Sequence, residues 1–143
     1  MPSLLLLAVT LLASAAFGVV WVRRNGRTRA VAEAPGLSDA DLAALGIDRL
    51  GERATLVQFS SAFCAPCRAT RRILGEVSSM VDGVAYAEVD AETHLDAVRR
   101  FHVLRTPTVL VLDRDRRVVV RASGQPRKAD VLAAVGKAVD NAS

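Results

Sequence analysis

The sequence contains few of the residues that mark several common protein classes. Its 143 residues include only two cysteines, one tyrosine, one tryptophan and two histidines. Two cysteines exclude a disulfide-rich scaffold, which needs several bridges. Hydrophobic residues make up 51% and charged residues 24%, a balance that excludes a disordered chain. A chain of this length allows one domain of ordinary size, or one domain plus an appendage, and a large multidomain enzyme is excluded.

Residues 37–143 carry almost no excess of positive charge. The net charge of +4 is concentrated in residues 23–36, where four arginines stand against one glutamate. From residue 37 onward, basic residues exceed acidic residues by only one. A nucleic-acid-binding domain carries clustered basic residues on its fold. We therefore predict no nucleic-acid partner.

Charged side chains are absent from residues 2–22. This stretch is about as long as the roughly 20 apolar residues that cross a bilayer as a helix. Trp21 lies near its end, where membrane proteins favour amphipathic rings, and Arg23 follows the stretch. We predict a transmembrane anchor over residues 1–23, with residues 2–22 in contact with the lipid bilayer.

A cleaved signal peptide is the alternative for this segment. Ala13-Ser14-Ala15 resembles a small-residue cleavage site. However, no basic region precedes the apolar run, and the run continues beyond Ala15 to Val22. These two features favour an anchor that is retained.

The arginines after the anchor predict its orientation. Basic residues that flank a transmembrane segment stay preferentially in the cytoplasm. Arg23, Arg24, Arg27 and Arg29 all lie on the C-terminal side. We predict a single-pass protein of a bacterial-type cell membrane with its domain in the cytoplasm, and an extracytoplasmic domain is the alternative. The same arginines also suit a solvated linker that contacts anionic lipid headgroups.

The remaining sequence alternates between helical and strand patterns. Residues 24–37 have no sustained periodicity and predict a flexible basic tether, and residues 38–143 predict one folded domain. Ser38 and Asp41 have the spacing of a helix capping box. The patterns predict strands over residues 54–61, 84–90, 108–112 and 117–122, and helices over 66–80, 93–101 and 127–139. The first two strands should pair in parallel and the last two as a hairpin, which predicts a mixed sheet with helices on both faces.

Two cysteines separated by two residues lie where the first of these strands gives way to a helix. Cys64 falls at the predicted helix start, where unpaired backbone N–H groups and the helix dipole stabilise a thiolate. Pro66 loses nothing there by lacking an N–H. Cys67 lies one turn further on and is placed to attack a mixed disulfide formed at Cys64. Near a βαβ pattern, this spacing indicates a redox dithiol.

Three other interpretations of the cysteine pair remain open at this point. A structural disulfide would close a very short loop and would remove little chain entropy. Half of a zinc site would need His94 and His102, which lack the usual ligand spacing, so we predict no metal. Two buried apolar thiols are not favoured by a helix start with a proline. A second element, Thr106-Pro107 before the third strand, is either a cis peptide bond or the trans start of an edge strand.

Residues 52–140 resemble the thioredoxin superfamily. The resemblance rests on the segments LVQFSSAFCAPCRATRRIL, VAYAEVDAE and FHVLRTPTVLVLD, followed by a glycine at position 124. The CxxC motif, the Thr-Pro pair and Gly124 occur in the order and spacing of the family. The resemblance implies a thioredoxin-like three-layer α/β/α sandwich with a mixed central sheet, preceded here by one transmembrane helix.

The resemblance also implies roles for particular residues. It implies that Pro107 is cis and packs beside Cys64, and that the backbone of Thr106 pairs with an extended substrate segment. The implied substrate surface consists of Phe63, Ala65, Pro66, Thr106, Pro107 and Gly124.

The chain departs from the family pattern at several positions. The dipeptide between the cysteines is Ala-Pro, where a standard thioredoxin has Gly-Pro, and Phe63 replaces the usual tryptophan. The buried acid that assists the second thiol falls at Gln58, which cannot accept a proton in that role. The lysine that accompanies this acid falls at Tyr86. We interpret Gln58 as a hydrogen-bonded core residue near the site.

These observations predict a membrane-anchored thiol–disulfide oxidoreductase that reduces protein disulfides through Cys64 and Cys67. Its partners would be disulfide-containing proteins and an electron donor, either a thiol reductase or a membrane electron carrier. No cofactor is expected beyond the cysteine pair. One alternative is an exported reductase of envelope-protein or cytochrome maturation, and another is a non-enzymatic module that binds peptides and senses redox state. Arg71, His94 and His102 are expected to be surface residues without a catalytic role.

Overall fold

The computed structural model describes residues 2–24, 28–30 and 36–141. Within these residues the chain forms helix α1 (Pro2–Arg24), strand β1 (Thr28–Ala30), helix α2 (Asp39–Ala44), strand β2 (Ala54–Ser60), helix α3 (Ala65–Met80), strand β3 (Val84–Asp90), helix α4 (Leu95–Arg100), strand β4 (Thr108–Asp113), strand β5 (Val118–Ser123) and helix α5 (Lys128–Asp140). Each predicted strand and helix is present, with ends that agree to within two residues.

The strands form one mixed sheet in the order β1-β5-β4-β2-β3. Strand β2 pairs in parallel with β3 and antiparallel with β4. Strands β4 and β5 form an antiparallel hairpin. The predicted parallel pair and the predicted hairpin are therefore both confirmed. All seven residues of β2 are buried, because this strand lies inside the sheet and has helices over both of its faces.

Helices cover the sheet on both sides. Helices α3 and α5 pack on one face through side chains such as Leu74, Val77 and Val131. Helices α2 and α4 lie on the other face, where Leu42 and Phe101 join a second apolar cluster. This arrangement confirms the predicted three-layer α/β/α sandwich.

The predicted capping box of α2 is present. The backbone N–H of Asp41 donates to the Ser38 hydroxyl at 3.2 Å, and the backbone N–H of Ser38 donates to the Asp41 carboxylate at 2.8 Å. These bonds satisfy two backbone donors that a helix start otherwise leaves unpaired. The Ser38 hydroxyl also donates to this carboxylate at 2.6 Å, and this side-chain bond is the main reason that the pKa of Asp41 is lowered.

One part of the expected tether has regular structure. A flexible tether was predicted over residues 24–37, of which 25–27 and 31–35 lie outside the described residues. Among the others, Thr28–Ala30 pairs antiparallel with β5, so that Thr28 lies opposite Ala122 and Ala30 opposite Val120. Leu37 is buried, and its backbone N–H donates to the Arg116 carbonyl at 3.1 Å. The exposed edge of a sheet offers unpaired backbone groups, and a three-residue strand is too short to show a sequence period.

Helix α1 stands apart from the apolar core of the domain. It is long and apolar enough to cross a membrane, and none of its most apolar stretch is buried against the protein. Large side chains such as Leu4, Leu12 and Phe17 are exposed. Such a surface is costly in water and suits a lipid environment.

Candidate active site

The cysteine pair lies at the junction of β2 and α3. Cys64 is the N-cap residue of α3, and its sulfur accepts a hydrogen bond from the backbone N–H of Cys67 at 3.2 Å. The two residues form a disulfide with a Cα–Cα distance of 5.2 Å. Cys67 is 1% exposed and Cys64 is 9% exposed. Cys64 is therefore the more accessible of the two cysteines, and as the N-cap residue it lies at the positive end of the helix dipole.

The loop before β4 lies beside the cysteine pair. The peptide bond between Thr106 and Pro107 is cis. The hydroxyl groups of Thr106 and Ser61 are hydrogen-bonded at 2.9 Å, which ties this loop to the segment that carries Cys64. The Pro107 carbonyl accepts a bond of 2.7 Å from the backbone N–H of Gly124. Gly124 has a φ of 90°, a conformation that favours glycine.

Apolar side chains are exposed around this site. Phe63 is fully exposed, and Ala65 and Pro66 are exposed at the start of α3. Leu104 is 94% exposed and lies two residues before Thr106. The sequence analysis did not include Leu104 in the surface around the cysteines. An apolar residue in the loop before the Thr-Pro pair could have indicated it.

Gln58 connects the site to the neighbouring strand. It is completely buried, its Nε2 donates to the Cys67 carbonyl at 3.0 Å, and its Oε1 accepts from the Tyr86 hydroxyl at 2.9 Å. Burial, together with the negative charge of Glu88, raises the pKa of Tyr86 to about 12. Tyr86 is therefore a neutral hydrogen-bond donor at physiological pH. Neither side chain can accept a proton from Cys67 under these conditions.

A charged network that sequence reasoning missed lies next to Gln58. Arg71, expected to be only solvated, donates to both carboxylate oxygens of Glu88 at 2.7 and 2.6 Å, and the Ser60 hydroxyl donates to the same carboxylate at 2.7 Å. The bond from Arg71 is the main reason that the pKa of Glu88 is lowered. The sequence pattern that could have revealed this network is the alternation of side chains along β3, which places Tyr86 and Glu88 on the same face.

These groups line one cleft beside the disulfide. It has a volume of about 390 Å³, and Cys64, Cys67, Arg71 and Glu88 contribute to it. A polar cleft of this size has room for water.

The two histidines lie outside the cleft. Nδ1 of His94 lies 2.8 Å from the Asp90 carbonyl at the start of α4, and exposed His102 follows that helix with a φ of 50°. Among residues 2–24, 28–30 and 36–141, no group of three or more metal-ligating side chains is placed to hold a metal ion.

Comparisons with known proteins agree with this geometry. The family model described as Thioredoxin matches residues 47–137, which is more than half of the chain. The chain belongs to the thioredoxin family. Its members exchange thiols and disulfides, and with the Cys64–Cys67 disulfide in place this chain is a thiol–disulfide oxidoreductase.

Individual relatives show how far the similarity extends. Thioredoxin of Mycobacterium tuberculosis is 31% identical over 87 residues, which cover 60% of this chain and 74% of that protein. Human thioredoxin domain-containing protein 2 is 32% identical over 82 residues, which cover 57% of this chain and only 15% of the human protein. The structure of Fasciola hepatica thioredoxin has a TM-score of 0.56 at 24% identity, covering 68% of this chain and 91% of that one. The structural likeness concerns the fold alone.

Proposed function

We propose that this thioredoxin is anchored in a membrane and reduces disulfides of partner proteins. The observation that carries this proposal is the cysteine pair at the start of α3, with the more accessible sulfur on Cys64 and the buried one on Cys67. A thiolate at a helix N-terminus is stabilised by backbone N–H groups. Cys64 is accordingly the attacking residue and Cys67 the resolving residue.

The reaction transfers two electrons from the dithiol to the substrate. The Cys64 thiolate attacks one sulfur of the substrate disulfide, a mixed disulfide forms, and the other substrate sulfur leaves as a thiolate that takes up a proton. Deprotonated Cys67 then attacks the sulfur of Cys64. The Cys64–Cys67 disulfide forms and the second substrate thiol is released. The chemistry needs no cofactor beyond the two cysteines.

The proton on Cys67 needs an acceptor other than Gln58. The leaving thiolate of the substrate is close to Cys67 during the second step. Water in the cleft beside Glu88 supplies a second route to solvent. We expect slower resolution than in relatives that hold a carboxylate at this position, because a positioned base speeds a proton transfer.

The substrate would bind along the exposed surface around the cysteines. Phe63, Ala65 and Pro66 provide apolar contacts next to Cys64. The backbone of Thr106 would pair with an extended substrate segment, beside Pro107 and Gly124. Disulfide-containing polypeptides, rather than small molecules, fit such an open surface.

The anchor would be α1, and its flanking arginines favour a cytoplasmic domain. Arg23 and Arg24 end the helix, and basic flanks are retained in the cytoplasm. A soluble thiol reductase system would then return electrons to the Cys64–Cys67 disulfide. In an extracytoplasmic orientation, a membrane electron carrier would do so.

Insulin reduction by the full chain in detergent, with dithiothreitol as electron source, tests the enzymatic role. We expect turnover by the wild type and none by Cys64→Ser. In a separate single-turnover reaction without dithiothreitol, pre-reduced Cys67→Ser should form stable mixed disulfides with the substrate, since the resolving thiol is missing. Ser78→Ala, on the distant half of α3, is the control and should retain full activity. Release of both substrate thiols by pre-reduced Cys67→Ser at the wild-type single-turnover rate, without dithiothreitol, would contradict the mechanism.

A further inference from the structure

The register of β1 determines where the chain enters the domain from α1. Thr28, the first residue of β1, lies opposite Ala122 near the end of β5. The strand then runs away from this end, since Ala30 lies opposite Val120. The chain from the anchor therefore joins the sheet at the end where β5 leads to Gly124.

The active site lies at the same end of the sheet. Ser123 pairs with Thr108, which follows the cis Pro107, and Thr108 pairs with Phe59 near the end of β2. Strand β2 leads to Cys64. The entry of the chain and the loops around the disulfide thus share one edge of the domain.

The distance from the anchor to this edge is short. Three residues, 25–27, separate Arg24 from Thr28, so these two Cα atoms are at most about 14 Å apart. Strands β1 and β4 are separated by β5 alone, which corresponds to about 10 Å. The last turns of α1 also share a pocket with Arg105, to which Trp21 and Arg24 contribute. Arg105 immediately precedes the Thr106-Pro107 bond.

Two large apolar side chains of the domain are far more exposed than the others in its described part, such as Met80 at 62% and Leu95 at 53%. Phe63 and Leu104 lie at the edge of the active site and are almost fully exposed. Burial of this edge in lipid is unfavourable, because the Cys64 thiolate would lose its hydration. A polypeptide at the membrane surface can cover both apolar side chains and still present a disulfide to Cys64.

We propose that the active site faces the membrane and that its partner is a protein of the same membrane, with the reacting disulfide just outside the bilayer. This inference rests on the proposed function, because it requires α1 to be a membrane anchor. The short connection holds Cys64 near the bilayer surface. This connection raises the effective concentration of the active site for disulfides close to the bilayer surface. It lowers that concentration for disulfides that lie further from the surface.

Two synthetic peptides test this selectivity. Each has one transmembrane segment and one disulfide loop, joined by a Gly/Ser spacer of about three residues in the near probe and about 25 in the far probe. The full chain is reconstituted with each probe in phosphatidylcholine vesicles, and probe reduction is followed with dithiothreitol as electron source. We expect the near probe to react roughly tenfold faster.

A longer connection should remove the preference. About 20 Gly/Ser residues inserted after Gly26 should lower the rate with the near probe roughly tenfold, since effective concentration falls with tether length. The matched control carries the same insertion after Arg114, in the β4–β5 turn at the opposite end of the sheet, and should keep the preference. Both variants should reduce insulin in detergent as the wild type does.

The outcomes separate this inference from the proposed function. Equal rates with the two probes, or a preference that survives the insertion after Gly26, would overturn a membrane-facing site. Slow reaction with both probes, alongside normal insulin reduction in detergent, would mean that lipid covers the site and would also overturn it. Failure to reduce insulin at all would instead refute the proposed function.

Discussion

Gln58 occupies a position where standard thioredoxins carry a carboxylic acid. Its amide is bonded to the Cys67 carbonyl and to the Tyr86 hydroxyl, and both bonds lie in or at the edge of the core. The amide holds the resolving cysteine in place and exchanges no proton. The carboxylate that lines the cleft in this chain is Glu88, and it is partly exposed to solvent.

A carboxyl group at position 58 should restore a proton acceptor behind Cys67. We expect Gln58→Asp to speed the release of a fluorescent thiol from a Cys64 mixed disulfide by roughly tenfold near neutral pH. The rate should fall at acidic pH as the carboxyl is protonated, and burial raises the pKa of that carboxyl. Stopped-flow measurement across pH 5–9, an interval around neutrality, with Gln58→Asn as the amide control, checks this. Identical profiles for the two variants would contradict it.

The pair of Arg71 and Glu88 predicts a pH-dependent stability. The pKa of Glu88 is lowered from 4.5, mainly by the bond from Arg71. A lowered carboxyl pKa stabilises the folded state above the unfolded value, and that contribution is lost as the pH falls through the folded pKa. Arg71→Gln should lower the stability at pH 7 only slightly, because the pair is partly exposed and solvent screens it.

Urea unfolding of the full chain in detergent measures this difference. The gap between wild type and Arg71→Gln should be present at pH 7 and should close below pH 4.5, the ordinary pKa of a glutamate. Arg72→Gln, at the exposed neighbouring position, is the control and should show no gap. A gap that is unchanged at low pH would mean that Arg71 contributes through packing alone.

At the scale of elements, the close approach of the segments that precede β2 and β3 requires a glycine at position 51. A Cβ added at Gly51 would lie 2.0 Å from the Ala54 carbonyl oxygen and 2.5 Å from that of Gly83. Ala54 is the first residue of β2 and Gly83 immediately precedes β3, so neither backbone oxygen can move independently of the sheet. Gly75, in contrast, lies within α3 and has no atom within 4 Å of an added Cβ.

These two glycines predict opposite effects of the same substitution. Gly51→Ala should destabilise the domain by about 3 kcal/mol, because the strands must separate to admit the methyl group. Gly75→Ala should stabilise it by about 0.5–1 kcal/mol, since alanine favours a helix interior. Thermal unfolding of the three proteins checks both signs. Equal midpoints for the wild type and Gly51→Ala would show that the β2–β3 junction is not tightly packed.

At the scale of the whole molecule, the arginines at the end of α1 predict the orientation of the domain. Intact cells are treated with a membrane-impermeant reductant and then with an impermeant maleimide, and lysed cells serve as the control. We expect labelling of Cys64 only after lysis, because basic flanks remain in the cytoplasm. Labelling in intact cells would place the domain outside and would make envelope disulfides its substrates.

Much of this molecule follows from local sequence patterns. The apolar run of α1, the strand and helix periods and the CxxC motif each involve residues that are close in the chain, so their meaning depends on neighbours alone. The capping box of Ser38 and Asp41 belongs to the same class. These patterns predicted a mixed sheet with helices on both faces and the position of the cysteine pair, and the family resemblance then implied the three-layer sandwich.

Contacts between distant residues were decided only by the tertiary structure. Gln58 meets Tyr86, 28 residues away, because β2 and β3 pair in parallel in one particular register. Arg71 reaches Glu88 because α3 packs on the face of β3 that carries this carboxylate. The short strand Thr28–Ala30 shows no period of its own, and only its pairing with β5 brings the anchor to the active-site end of the sheet. Register and helix packing depend on the whole core, which no local segment encodes.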